Sequence, residues 1–437
     1  PSVLDPIRSR PHPFSTPSVL DPIRSRLIRA ERTSTAVKIG DIRVIVTSPG
    51  RNYVSVKIEA EDGTYGIGDA TLNGRELAVA SYLSEHVAPL LIGREAGDIE
   101  AIWQFLYRGA YWRRGPVTMA ALAGVDMALW DLKGKSLGTP VWNLLGGRCR
   151  QAIRVYTHAS ARTVEGTIDE VRRLLSEGYE AVRVQCLVPG LSEMYGVPRA
   201  AGAREPDGLP FVEENWSSDA YLRFTPQLFA AVREAVGPEP LLLHDAHHRL
   251  TPAEAGGLGR SLEDYRLFWL EDAVLEELQD GYRLVRHHTT TPLAVGEVFN
   301  SIYDCDRLVR KGWIDYLRAS VLHAGGISHL RKIAAFAEPY HVRMGCHGAA
   351  DLSPITMAAA AHFGLAVHNV AIQEYAEHSD DTYRVFPHEW SVNQGYLRPG
   401  DGPGLGVDID EGLAASFPYK RSYLPISQLA DGTTWNW

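Results

Sequence analysis

Asp245, Glu271 and Glu297 lie 26 residues apart along the chain, and each closes a short apolar run: "PLLLHD", "LFWLED" and "PLAVGE". Three carboxylates offer hard oxygen ligands, which suit Mg²⁺ with waters or substrate oxygens in its remaining positions. A metal ion held this way polarises a substrate carboxylate and makes the α-proton removable. The chemistry expected is therefore proton abstraction from a small organic acid. His247, two residues after Asp245, would face the same side as that ligand in an extended strand. An imidazole there suits donation of a proton to a leaving hydroxyl. By the same alternation His244 and His248 are expected to point away, and Asp272 to point aside as a structural partner. Taken singly, such an acid is ordinarily a helix cap or a surface charge, and such a histidine is ordinarily structural. The equal spacing of three acids is what argues for a site.

A step of 26 residues is about one strand, one helix and two loops, so the three acids should end three consecutive strands of a parallel barrel. All strand ends of such a barrel share one mouth. The chain from 151 supports this, with eight strand candidates separated by helical segments: "AIRVYTH", "AVRVQC", "PLLLHD", "LFWLED", "PLAVGE", "DYLRAS", "VRMGCH" and "VAIQEY". Eight is the count a closed (β/α)₈ barrel requires. One connection, about 188–218, is too long for a simple crossover and reads as a functional loop such as a lid. Ahead of the barrel, 37–68 alternates like an antiparallel meander with an Asp-Gly turn, and 75–145 is helical in period. The expected organisation is an α+β capping domain over 36–150, the barrel over 151–374, and a Pro/Gly-rich tail over 375–437 that returns to the cap. Residues 1–35 stand outside the fold: "PSVLDPIRSR" occurs at 1–10 and again at 17–26. That is a duplication rather than a solenoid. Folded sequence is expected from Val37, a residue that could itself be a start codon read as valine.

The whole chain bounds the function. Its 437 residues hold one barrel of ~250 residues plus a second lobe. No apolar run approaches the ~18 residues of a membrane span, and a formal charge of −9 speaks against nucleic acid, whose phosphates need a basic face. Cys149, Cys186, Cys305 and Cys346 are scattered with no metal spacing, which fits reduced thiols and a cytoplasmic setting. Cys346 adjoins a candidate histidine but reads as strand packing.

Beyond these patterns, the sequence resembles the mannonate dehydratase branch of the enolase superfamily over 37–437. The likeness is carried by "ALWDLKGKSLGTPVWNLLGG", "RVQC" with "MYGVPR", "HDAHHRLTP", "WLEDAV", "GEVFNS", "HGAADLSP" and "IQEY". It implies a modified (β/α)₈ barrel with a cap and one Mg²⁺ per site on Asp245, Glu271 and Glu297. It also implies dehydration of D-mannonate to 2-keto-3-deoxy-D-gluconate. Related barrels take their base from a lysine on strand two or a His–Asp pair on strands seven and six. Here strand two offers Arg183 and Gln185, strand six ends in Arg318, and His347 has no aspartate partner. The resemblance instead makes Tyr195 the base, with Arg183 favouring its phenolate, and His247 the acid. It implies substrate contacts from Asn73, His158, Glu297, Arg318, His347, Asp351 and Glu374. Ala349, in the tripeptide after strand seven, matches proficient members. Tyr111 and Trp435 are candidates to narrow the pocket, with aromatic packing as the alternative. Relatives assemble into tetramers or octamers, which implies a homo-oligomer. Two further readings stay open: a dehydratase for another sugar acid such as D-gluconate, and a regulatory barrel that has lost useful catalysis.

Overall fold

The computed structural model describes residues 37–198, 212–424 and 426–436. The duplicated decapeptide and the middle of the long loop lie outside them. Strands β1 (Ile39–Thr47), β2 (Tyr53–Ala60) and β3 (Tyr65–Asp69) form an antiparallel meander. Helix Pro116–Ser136, buried along most of its length, packs against β3 and completes the cap.

The barrel strands are β4 (Ile153–Ala161) and β5 (Ala181–Cys186), then, past the short β6 (Val212–Asn215) in the long connection, β7 (Leu241–Asp245) and β8 (Trp269–Glu271). They continue with β9 (Leu293–Val295), β10 (Tyr316–Leu317), β11 (Arg343–Cys346) and β12 (Val370–Glu374). All eight pair in parallel, and β12 pairs with β4 to close the barrel. Each of the eight predicted segments forms its strand.

The interior of the barrel is an apolar layer of Tyr156, Ala181, Leu243, Trp269, Ala294 and Ile372, one from each of six strands. On a strand, residues two apart share a face. The next inward residues toward the mouth are therefore His158, Arg183, Asp245, Glu271, Gly296 and Glu374. The hydrophobic floor thus dictates which polar residues look into the site. Tyr316, packed against the same layer, puts Arg318 in that ring. Gly345, whose missing side chain leaves room for the Trp269 indole, does the same for His347.

The tail makes contacts with both lobes. Glu411 pairs with Arg43 at 2.6 Å and Lys57 at 2.7 Å on the cap strands. A hairpin of β13 (Ser391–Asn393) and β14 (Tyr396–Arg398) adds antiparallel to β4. Finally β15 (Ile426–Gln428) runs parallel to β6, at the far end of the long connection.

Candidate active site

Asp245 and Glu271 are the last residues of β7 and β8 and stand opposite each other in register. Glu297 is different: it lies two residues past β9, and the parity set by Ala294 points Gly296 inward rather than Glu297. The 26-residue spacing conceals this one-residue offset, because Trp269 follows Leu243 by 26 but Ala294 follows Trp269 by 25. Gly296, at φ 134°, turns the chain so that Glu297 still faces the site.

Two arginines knit the acids together. Arg183 Nη1 donates to Asp245 Oδ2 at 2.9 Å and Glu271 Oε1 at 3.1 Å, and approaches Glu374 Oε1 at 3.5 Å. Arg318 Nη1 donates to Asp272 Oδ2 at 2.6 Å and Glu297 Oε2 at 2.8 Å, while its Nη2 donates to Glu374 Oε2 and the Tyr156 hydroxyl, both at 2.9 Å. Burial raises the Glu271 carboxyl well above the usual range, opposed by Arg318. Burial would raise Asp245 too, but His247, Arg183 and Arg318 hold it well below. Against the same burial, Arg318 holds Glu297 down at about 2. His158 Nε2 lies 2.7 Å from Glu374 Oε1, and burial together with Arg183 lowers its imidazole.

Arg318 is fully buried with its guanidinium ringed by carboxylates. In this structure it orders the acids. His248 departs from expectation. It does not point away: its Nε2 lies 3.8 Å from both Asp272 Oδ1 and Glu297 Oε1. Among the described residues, the three potential metal donors found within 4.8 Å of one another are those of His248, Asp272 and Glu297. The expected triad is instead separated by guanidinium groups, Arg183 between Asp245 and Glu271 and Arg318 between Glu271 and Glu297. His244 does turn outward, to the Tyr221 hydroxyl at 2.6 Å and the Val184 carbonyl at 3.0 Å.

His247 reaches the site by another route than strand alternation. β7 stops at Asp245, and His247 and His248 adopt left-handed backbone, at φ 48° and 58°. Asp245 holds the turn, its Oδ1 accepting the His247 amide at 2.7 Å while its Oδ2 lies 2.8 Å from Nε2. Nδ1 lies 3.3 Å from the Gln185 side-chain nitrogen. With that amide donating, Nδ1 accepts and Nε2 carries the proton. Left-handed conformations of non-glycine residues cost energy and cluster at functional sites.

Tyr195 meets His247 edge to face, with ring centroids 5.2 Å apart. Its loop is held by Arg162, which pairs with Glu193 at 2.8 Å and donates to the Ser192 carbonyl at 2.6 Å. The loop also lies tight against β5. At Gly196, φ 79°, a Cβ would stand 2.6 Å from Gln185 Oε1. Arg183 acts on the phenol in the expected direction but is outweighed. Burial pushes Tyr195 above its ordinary value, Asp351 and Glu297 add to this, and Arg51 and Arg183 oppose it by less. Arg183 is a weak lever because its charge already faces three carboxylates.

Asn73, in the cap loop after β3, donates to Asp351 Oδ2 at 3.2 Å and joins cap to barrel at the mouth. Asp69 and Tyr53 reinforce the join: Asp69 Oδ2 accepts the Ser353 amide at 2.7 Å, and the Tyr53 hydroxyl donates to the Ala350 carbonyl at 3.0 Å. His347 Nε2 is 3.9 Å from both Glu297 and Glu374. Ala349 is half-buried in the following loop. Tyr111 is 84% exposed and meets Trp112 edge-on, so it does not narrow a pocket within this chain. Trp435 Nε1 donates to the Arg249 carbonyl at 3.3 Å and braces the turn that carries His247. Arg162, Gln185, Asp69, Tyr53 and Tyr156 were not site candidates. Only Asp272 and His248 had a signal, their adjacency to candidate residues.

Residues 166–413 match the enolase C-terminal domain-like family, and residues 31–146 match the mandelate racemase / muconate lactonizing enzyme N-terminal domain. The chain is 60% identical to a D-mannonate dehydratase of Caulobacter sp. (strain K31), over 92% of this chain and 100% of that protein. This chain belongs to the mannonate dehydratase branch of the enolase superfamily. As a member it is an enzyme of the hydro-lyase class. It is also 56% identical to a D-galactonate dehydratase family member of Cellvibrio japonicus, over 92% and 100% of the two chains. A crystal structure of an enolase from Pantoea ananatis with bound D-gluconate and Mg superposes with a TM-score of 0.83, at 38% identity over 91% of this chain and 99% of that one. No helix among the described residues is long and apolar enough to cross a membrane.

Proposed function

We propose that this enzyme dehydrates D-mannonate to 2-keto-3-deoxy-D-gluconate with the help of Mg²⁺. The observation that carries the reading is the pairing of Tyr195 and His247, rings 5.2 Å apart, beside Asp245 in a chain so similar to a D-mannonate dehydratase. A phenol and an imidazole on hand together supply a base and an acid for one elimination.

The donor set fits a divalent cation. Asp245, Glu271, Asp272, Glu297 and Glu374 are five carboxylates at the barrel mouth, faced by two guanidinium groups. The excess of negative charge and the all-oxygen chemistry suit Mg²⁺, with Asp245, Glu271 and Glu297 as its holders. For Asp245 and Glu271 to hold the ion, Arg183 would give up one of its bonds to them. When bound, the ion supplies a Lewis acid for the substrate carboxylate.

The chain's own groups do the rest. Tyr195 takes the C2 proton, and the C2–H electron pair moves to form the C2–C3 double bond. His247, as the imidazolium whose Nδ1–H is accepted by Gln185 Oε1 once that amide turns over, gives its Nε2 proton to the departing 3-hydroxyl and is left neutral. The hydroxyl leaves as water, and the enol becomes the 2-keto acid. Because the Tyr195 surroundings disfavour its anion, ionisation calls for added positive charge nearby. Asn73, His158, His247, Glu297, Arg318, His347, Asp351 and Glu374 are the proposed contacts to substrate hydroxyls and carboxylate, and Ala349 supports assignment to proficient members.

The test is a panel of diastereomeric sugar acids, each assayed for keto-acid product with and without Mg²⁺. Product from D-mannonate alone is expected, and only with the ion. Product from D-gluconate instead would favour the second reading, which the D-gluconate complex of the similar structure motivates. Binding without product from any acid would favour a regulatory barrel.

A further inference from the structure

His323 lies in the loop after β10 and has no role in the elimination described above. From Leu317 to Leu330 every residue is buried except this one. Its half-open side chain stands beside His347, ring centroids 6.0 Å apart at a 30° tilt. The charged groups that act on it are His347, Asp351 and Glu297, all at the barrel mouth. The ring therefore lies at the barrel mouth beside His347.

Its placement is fixed from two sides. Asn300 Nδ2, from the loop after β9, donates to the His323 carbonyl at 3.3 Å. Trp103 Nε1, from cap helix Ile99–Gly109, donates to the Gly325 carbonyl at 2.7 Å. Inside the loop, the Ala324 amide donates to the Ser320 carbonyl at 3.0 Å and the Gly326 amide to the Val321 carbonyl at 2.8 Å. These bonds fix the backbone that carries the His323 ring, which limits where the ring can go.

The neighbouring ring supplies the second observation. His347 is nine-tenths buried, and its Nδ1 has no hydrogen-bond partner among the described residues. Nδ1 is sealed off, and Nε2, 3.9 Å from both Glu297 and Glu374, is the nitrogen that faces the acids of the mouth. We propose that His323 is a substrate-recognition residue, its imidazole and that of His347 together binding a hydroxyl of the sugar-acid chain. The inference rests on the dehydratase reading above. Burial and His347 push the His323 imidazole down to about 4, so near neutral pH it offers one donor and one acceptor. A hydroxyl both donates and accepts, and a site built on such bonds discriminates well among diastereomers.

Steady-state kinetics of His323→Phe and His323→Gln test this. The phenyl ring keeps the volume without the nitrogens, and the amide restores a donor and an acceptor. KM for D-mannonate should rise about tenfold in His323→Phe, with a smaller change in kcat, and His323→Gln should recover most of it. Unchanged KM for every acid the wild type turns over overturns the assignment, as does a fall in kcat alone. A second measurement needs no variant that folds poorly. In wild-type enzyme labelled with ¹⁵N-histidine, the His323 ring resonances should move on saturation with D-mannonate. Resonances that stay fixed through saturation overturn it. Wild-type enzyme that makes no product from any acid sinks the dehydratase reading and this inference with it. Product formation that is indifferent to both variants sinks only His323.

Discussion

A phenol is a poor base near neutrality, since its anion is scarce below pH ~10, and the surroundings of Tyr195 push it further from ionisation. Its neighbours therefore decide whether it works. Arg183 is engaged by Asp245, Glu271 and Glu374, and only a rearrangement of those acids frees its field for the phenol. Tyr195→Phe removes the oxygen proposed to take the proton and leaves the ring packed on His247. Turnover should fall by at least ~10²–10⁴-fold, while Mg²⁺ binding measured by calorimetry stays unchanged. Activity within twofold of wild type would remove Tyr195 from its role. His247→Asn should lower kcat by a similar ~10²–10⁴ factor with a smaller effect on KM. A change in KM alone would make His247 a binding group rather than the acid.

At the level of strands and loops, the site follows from the layer beneath it. Five of the six apolar floor residues put a polar residue in the ring two positions on, Ala294 puts Gly296 there, and the loops that follow must then pass close to the strand ends. Gly348 shows how close. Its amide donates to Glu374 Oε2 at 3.1 Å, and a Cβ there would stand 2.4 Å from Gln373 Nε2 and 2.7 Å from the Glu374 carbonyl. Gly348→Ala forces apart the β11 loop and β12. The expected cost is about 1–3 kcal/mol of stability, read as a lower denaturant midpoint, with KM raised because Glu374 is displaced. An unchanged midpoint would show that the loop can shift without loss.

Across the whole molecule, cap and barrel are joined by buried polar contacts as well as apolar ones. Asp126, on cap helix Pro116–Ser136, accepts the Ser328 amide at 3.0 Å near the start of barrel helix Ile327–Ala337, and its Oδ1 is buried with no partner among the described residues. Burial pushes its carboxyl up to about 7. The folded chain thus keeps a proton that the unfolded chain, with a carboxyl near ~3.9, has released. Its contribution to stability is complete below about pH 4 and is lost as pH rises toward 7, at roughly 1.4 kcal/mol for each pH unit crossed in that window. Asp126→Asn keeps an acceptor for Ser328 and does not titrate. Its melting midpoint should fall less between pH 5 and 8 than that of the wild type. Parallel curves would assign the pH dependence to other groups.

The sequence alone determined the eight strands, the cap ahead of them and the common mouth of Asp245, Glu271 and Glu297. Those properties are periodic, and periodicity survives in one dimension: apolar runs at fixed steps, broken by helical stretches. The family likeness named Tyr195, His247 and Arg183, and the fold brings all three to that mouth. What the sequence could not decide was the fine placement of charge. That Gly296 absorbs a one-residue offset, that His247 arrives through a left-handed turn and that His248 faces Glu297 depend on backbone angles past the strand ends. That Arg183 is engaged by acids, and that Arg318 is sealed among them, depends on which side chains meet across the barrel. Such encounters join residues up to 191 positions apart. Only the closed tertiary structure sets their distances, and with them their fields.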